Sequence, residues 1–424
     1  MRHHIVAVMG LLTSAAAWGQ SRQVPAADQE RPIVLSGGTI HTVADADPIA
    51  SGFVRIENGL ITQVGSGDPM LESGDQVIDC QGAHVYPGMI LIDTQLGLYE
   101  TSAVEVTLDY NEMGNITPEA SALLAINPDS DLIPVTRSNG VLTGVVAPSG
   151  GLVAGWGATV RFDGWTWEDM AIQPRSGLFF DWPRVGFAKS ADRFEELDAL
   201  VRDARRWSAA READPTVGPD ARFNALLPVL EKEAPAFIRA DTAPQIETAV
   251  AFGARHDIDV VIVGGDEAME CVETLLAHDI PVVVHGTHRL PGRRDELWDH
   301  QYTLPGRLND AGIKVAIAAN ERYTGHERNL PYHAGTAAAH GMDPQEALRT
   351  VTQYAAEVIG LGEVLGTIEV GKYGTVIVTN GDPLEVTTNV GKAFIEGRQI
   401  DLDNRQTQLR DKYLQKYRRQ GRVD

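Results

Sequence analysis

Two cysteines in 424 residues, Cys80 and Cys271, are too few for a disulfide framework or a thiolate metal cluster. One bridge, in an oxidising compartment, is the most they can form. Cations are scarce as well. Lys and Arg number 36 against 58 Asp and Glu, and the formal net charge of −22 repels phosphate backbones and anionic lipid, which excludes nucleic-acid partners. No apolar run reaches the ~20 residues a membrane-spanning helix needs. A Gly-x-Ser-x-Gly nucleophile elbow is absent, and neither cysteine has a base partner in sequence. The glycine-rich stretch from Ser149-Gly150-Gly151 to Gly155-Trp156-Gly157 carries neither a dinucleotide fingerprint nor the Lys-Ser/Thr of a phosphate loop.

What is present is a globular composition, 43% hydrophobic, in a chain long enough for one large barrel or two smaller domains. Arg2, His3 and His4 precede an apolar run over residues 5–17, and Ala17-Trp18-Gly19 resembles a small-x-small cleavage site. Residues 1–19 therefore read as a secretory signal peptide, and residues 20–31 as a polar leader. The expectation is a soluble secreted protein, in a bacterial periplasm, with no membrane contact after cleavage.

Residues 32–87 are short and strand-like, with Glu57-Asn58-Gly59 as a hairpin turn. The same texture returns over residues 366–400, so the two segments are expected to share one composite β-sandwich domain. Between them, over residues 88–365, apolar β runs alternate with helical stretches, the order that builds parallel strands with crossover helices. Six runs are clear: residues 89–92, 141–147, 236–238, 260–263, 281–284 and 314–318. An α/β fold, a TIM-like (β/α)8 barrel, is expected. Phe194, Leu197, Leu200, Val201 and Ala204 fall at helix spacing, and Asp343-Pro344-Gln345-Glu346 reads as a helix start with Asp343 as cap. Residues 401–424 form a charged tail, read as a solvated helix.

Three stretches resemble the amidohydrolase superfamily, especially its secreted imidazolonepropionase-like group. The first is Ile33 to Gly38, Ile56-Glu57-Asn58-Gly59-Leu60-Ile61 and Val77-Ile78-Asp79-Cys80-Gln81-Gly82, leading to Pro87-Gly88-Met89-Ile90. The second is Gly366-Thr367-Ile368-Glu369-Val370-Gly371-Lys372, then Asn380-Gly381-Asp382-Pro383-Leu384 and Phe394-Ile395-Glu396-Gly397-Arg398. The third is Asn329-Leu330-Pro331 with Pro344-Gln345-Glu346-Ala347-Leu348. The resemblance covers nearly the whole chain after residue 31 and implies a metallo-dependent hydrolase barrel acting on carbon–nitrogen bonds other than peptide bonds.

It also implies one or two divalent metals, held by His-x-His on the first barrel strand, a His after each of two middle strands and an Asp after the last. Side chains two apart on a strand share a face, which is why His-x-His chelates. Counted without gaps, this chain has Asp93 and Gln95 at the first pair, Arg239 and Gly264 at the middle positions and Asn320 at the last. Zn²⁺ favours imidazole and thiolate, Gly264 offers no side chain, and a permanently protonated guanidinium cannot coordinate. No metal is expected at the usual site. Asp93 and Arg239 are expected to project toward a common centre, with Gln95 and Asn320 satisfying the remaining polar groups.

Alternative site candidates follow other strands. His285 and His288 leave the strand at residues 281–284, with Asp295, Glu296, Asp299 and His300 after them, and leave open a divalent metal at a displaced site or an acid–base pair. Asp266 and Glu267 either line the pocket or cap the next helix, capping being the expectation. His326 and His333 flank the last-strand loop, and Trp165 and Trp167 offer a stacking platform, a lid or core packing. Two functions stay open: a carbon–nitrogen hydrolase with a degenerate metal site, and a non-catalytic barrel that binds a small molecule or pairs with an active paralogue or with itself.

Overall fold

The computed structural model describes residues 23–45, 47–319 and 324–423. The expected signal peptide lies outside them. The first strands are β1 (Ile33–Ile40), β2 (Ile49–Glu57), β3 (Leu60–Ser66), β4 (Gln76–Asp79) and β5 (His84–Pro87). Asn58 and Gly59, at φ 52° and 79°, make the tight β2–β3 turn, both in the left-handed region that a two-residue hairpin needs.

The central strands are β6 (Met89–Thr94), β7 (Val141–Val146), β8 (Val153–Arg161), β9 (Ala171–Asp181), β10 (Ala236–Ala240), β11 (Val260–Gly264), β12 (Val282–Val284) and β13 (Val315–Ile317). They form one eight-stranded sheet in chain order. The remaining strands, β14 (Val376–Thr379), β15 (Val390–Ile395) and β16 (Arg398–Gln399), return to the first sheet, where β14 pairs antiparallel with β5. That sheet runs β16-β15-β14-β5-β1-β2-β3, with β4 beside β1, and buries Leu35, Val54, Ile56, Val376 and Phe394 in one cluster.

The central sheet is TIM-like but not a regular (β/α)8 barrel. β8 pairs antiparallel with both β7 and β9, so these three strands form a meander where crossover helices were expected. β6 and β13 are the ends of the hydrogen-bonded path, and the Ile90 amide instead donates to the Val351 carbonyl at 2.8 Å, closing the seam through the segment after the helix Pro344–Thr350. Alternation sorts the side chains. Ile90, Ile92, Val145, Phe179, Phe237, Val261, Val263, Val283, Ala316 and Ala318 fill the barrel interior, while Met89, Leu91, Leu178, Ile238 and Ile262 face the surrounding helices.

The leader does not stand apart from the fold. The Gln29 amide donates to the Ile56 carbonyl and accepts from the Gly59 amide, and the Ala26 amide donates to Asp163. Cys80 and Cys271 are both buried and free, so the single bridge that composition allows is not formed. Asp343 caps its helix as expected, accepting from the Gln345 and Glu346 amides. The helix Ser190–Ala213 buries Leu197, Leu200, Val201 and Ala204, and the tail helix Arg405–Arg419 buries nothing. Among the described residues no helix is long and apolar enough to cross a membrane.

Candidate functional site

Phe179 and Phe237 stack inside the barrel with ring centroids 4.8 Å apart and planes 7° from parallel. They fit because Gly157 and Gly177 face them; a Cβ at either glycine would lie 2.4 or 2.3 Å from a ring atom. Two residues further along β10, Arg239 lies over the Phe179 face, its guanidinium carbon 4.9 Å from the ring centroid. Above it are two carboxylates. Nε and Nη2 of Arg239 donate to Oδ2 and Oδ1 of Asp93 at 3.0 and 2.6 Å, a bidentate pair, while Nη1 donates to Oδ1 of Asp181 at 2.8 Å. Nη2 also reaches the Pro148 carbonyl at 2.8 Å.

Strict alternation would turn Asp93 outward with Met89 and Leu91. It turns inward because β6 bulges: Leu91 pairs with Gly144 and Thr94 with Val146, and Asp93 takes φ +59°, a left-handed conformation that Asp tolerates better than most residues. The same bulge sends Thr94 outward. The Asp93 and Arg239 side chains are only 11% and 18% exposed, so the pair is largely withdrawn from water. Burial alone would lower the Arg239 pKa, but the charges and hydrogen bonds of Asp93 and Asp181 outweigh it and hold the guanidinium above its ordinary range.

Gln95 does not complete this network. Its amide donates to Ser149 Oγ at 3.0 Å, and the groups that finish Arg239 are Asp181 and the Pro148 carbonyl. Asn320 lies outside the described residues. In front of the ion pair is a cavity of about 330 Å³ lined by Asp93, Gln95, Tyr99, Tyr110, Ser149, Asp181 and Arg239.

Gly264 ends β11 at φ +101°, and its place in the mouth is taken by its neighbours' side chains. A Cβ there would lie 2.1 Å from Asp241 Oδ1 and 2.9 Å from His285 Nε2, which approach each other to 3.5 Å across the glycine. Gly264→Ala is therefore expected to cost about 1–3 kcal/mol, from overpacking and from the backbone conformation together. Equilibrium denaturation of the variant checks this, and an unchanged midpoint would contradict the packing described.

The other candidates separate. His288 turns to the helix Leu330–Ala339, where Nε2 meets Thr336 Oγ1 at 2.8 Å and its ring lies 4.3 Å from that of His333. Burial lowers its pKa, and burial pushes that of His333 down to about 3. Asp266 and Glu267 do not cap the helical turn that follows them. Asp266 pairs with Arg289 at 2.5 Å, while Glu267 pairs with Arg293 and accepts from the Ala243 amide at the start of the helix Ala243–His256. Trp165 is exposed and Trp167 partly buried against the core.

Glu327 had no signal in the sequence, being one charged residue between His326 and Arg328. It is buried, its Oε1 accepting from the Thr94 hydroxyl at 2.6 Å and its Oε2 without a partner among the described residues. Burial pushes its carboxyl up to about 8, against the hydrogen bonds from the Thr94 hydroxyl and the Gln95 backbone N–H, with the Asp93 charge adding to the rise.

The resemblance implies a divalent metal, and the described residues do not fit one. A cation already sits at the barrel mouth with both nearby carboxylates engaged, and among the described residues no group of three or more His, Cys, Asp or Glu could hold a metal ion.

Comparison with known proteins agrees with the architecture. Residues 295–400 match the amidohydrolase family model. Amidohydrolase tasK of Hapsidospora irregularis is 22% identical over 430 residues, covering 86% of this chain and 42% of its own length. The imidazolonepropionase of Thermoplasma volcanium is 33% identical over 106 residues, 23% of this chain and 26% of that protein. The chain thus spans less than half the length of either curated relative. Among solved structures, an amidohydrolase from Thermotoga maritima MSB8 superposes with a TM-score of 0.77 at 22% identity, covering 87% of this chain and 99% of that one.

Proposed function

We propose that this chain, a member of the amidohydrolase family, has exchanged metal-activated hydrolysis at the barrel mouth for binding: it is a barrel that holds a small molecule in the cavity before Arg239. One observation carries the reading. The bidentate Asp93–Arg239 pair occupies the barrel mouth with a fixed organic cation, and Arg239 cannot give up its charge or accept a metal bond.

Carbon–nitrogen bond hydrolysis, by family membership, is the second reading, and one feature favours it. Asp241 and His285 bring a carboxylate and an imidazole within 3.5 Å at the same end of the barrel, a pair able to hold and pass a proton. Elemental analysis of the purified chain separates the two. The binding reading expects far less than one divalent ion per chain and no turnover of cyclic amide substrates with added Zn²⁺ or Mn²⁺. One tightly held ion per chain together with metal-dependent turnover would establish the hydrolase instead.

A further inference from the structure

We infer that the 330 Å³ cavity receives an organic cation, an ammonium group carried on an apolar or aromatic body. This rests on the ion-pair reading of the site and deepens it by naming the ligand's charge. Two carboxylates face one guanidinium there, so the cavity floor keeps a formal excess of one negative charge after Arg239 is paired. Asp93 spends both oxygens on the bidentate bond. Asp181 accepts from Arg239 through Oδ1 and from the Gly150 amide through Oδ2, and its side chain remains 31% exposed, so it is the carboxylate with lone pairs open to the cavity.

The wall is independent of that charge. Tyr99 and Tyr110 stand with ring centroids 6.0 Å apart and planes 31° from parallel, held by the Asp109 amide bond to the Leu98 carbonyl. Aromatic faces beside a carboxylate are the chemistry that recognises alkylammonium groups. The approach is biased in the same sense: residues 94–136, which supply both tyrosines, contain no Lys or Arg and seven Asp or Glu. Arg184 and Arg193 line an adjoining cavity beyond Asp181, not this one. A carboxylate ligand here would face Asp181 and Asp93, whose oxygens already engage the Arg239 guanidinium, so an anion is disfavoured.

Calorimetric titration of the purified full chain at pH 7 with benzylamine, benzyl alcohol and benzoate tests the charge directly, because the three share a ring and differ in sign. Benzylamine is expected to bind about tenfold more tightly than benzyl alcohol, with benzoate weakest. Asp181→Asn should remove the amine's advantage and leave benzyl alcohol unchanged, and Tyr99→Leu should weaken both. Benzoate binding as tightly as benzylamine, no binding by any of the three, or an amine preference that survives Asp181→Asn would overturn the proposal. The wild-type ranking decides the sign even where a variant does not fold. Metal content of the same sample reports separately on the ion-pair reading, so the two can fail independently.

Discussion

Arg239→Met is expected to destabilise the protein by about 3–5 kcal/mol, the cost of breaking a buried ion pair from one side. The change leaves Asp93, 11% exposed at a bulge that turns it inward, facing Asp181 without the cation that holds both. It also removes the donors to the Pro148 carbonyl. The Asp93→Asn, Arg239→Met double variant should recover part of the loss, because the carboxylate it neutralises is the one most withdrawn from water. Burying two paired charges is not in itself strongly stabilising, so the informative quantity is the difference between the single and double variants. Urea denaturation, followed through the seven tryptophans, measures it. A double variant less stable than Arg239→Met would show that Asp93 contributes through contacts other than Arg239.

Glu327 should give the protein an unusual pH dependence. Its carboxyl is pushed up to about 8 in the fold from an ordinary value of 4.5. Over that window the native state keeps a proton that the unfolded chain has released, so this residue's effect is a loss of stability as pH rises from about 4.5 through 8. At about 1.4 kcal/mol per pH unit the loss is on the order of 5 kcal/mol. His333 acts in the opposite sense at lower pH. Pushed down to about 3 from 6.5, it destabilises the fold as pH falls through that range. Comparing wild type with Glu327→Gln cancels the histidine contribution. Glutamine keeps an oxygen for the Thr94 hydroxyl and cannot ionise, so the variant should gain on the wild type steadily between pH 5 and 8. Parallel stability curves for the two proteins across that interval would refute the burial of an ionisable Glu327.

How far the sequence could be read depended on where regular alternation held. β10 keeps it, with Phe237 and Arg239 two apart on one face, and the apolar runs of β11, β12 and β13 stood out because little interrupts them. β8 and β9 were missed. Gly155 and Gly157 make residues 149–157 look like loop, whereas Gly157 is in a strand because the Phe179 ring needs its space. Missing β9 meant missing Asp181, which ends it two residues beyond Phe179, and with it the second carboxylate of the site.

Asp93 shows a different limit. A gapless count put it at the mouth beside Gln95, but the two do not share a role, since the bulge at positive φ that turns Asp93 inward leaves no trace in composition. Glu327 and the Asp241–His285 approach depend on contacts between elements far apart in the chain, which a local pattern cannot report. Gly264 was read as a lost ligand; the fold shows it as the space in which that approach occurs.

The central claim is that Arg239 stands at the barrel mouth as a permanent cation locked to Asp93. Anomalous diffraction at the zinc edge, from crystals grown in excess zinc, tests it at atomic position. The account predicts no anomalous peak among Asp93, Asp181 and Gly264, with the bidentate Asp93–Arg239 pair intact. A zinc ion bonded to Asp93, with Arg239 swung away from it, would contradict the claim.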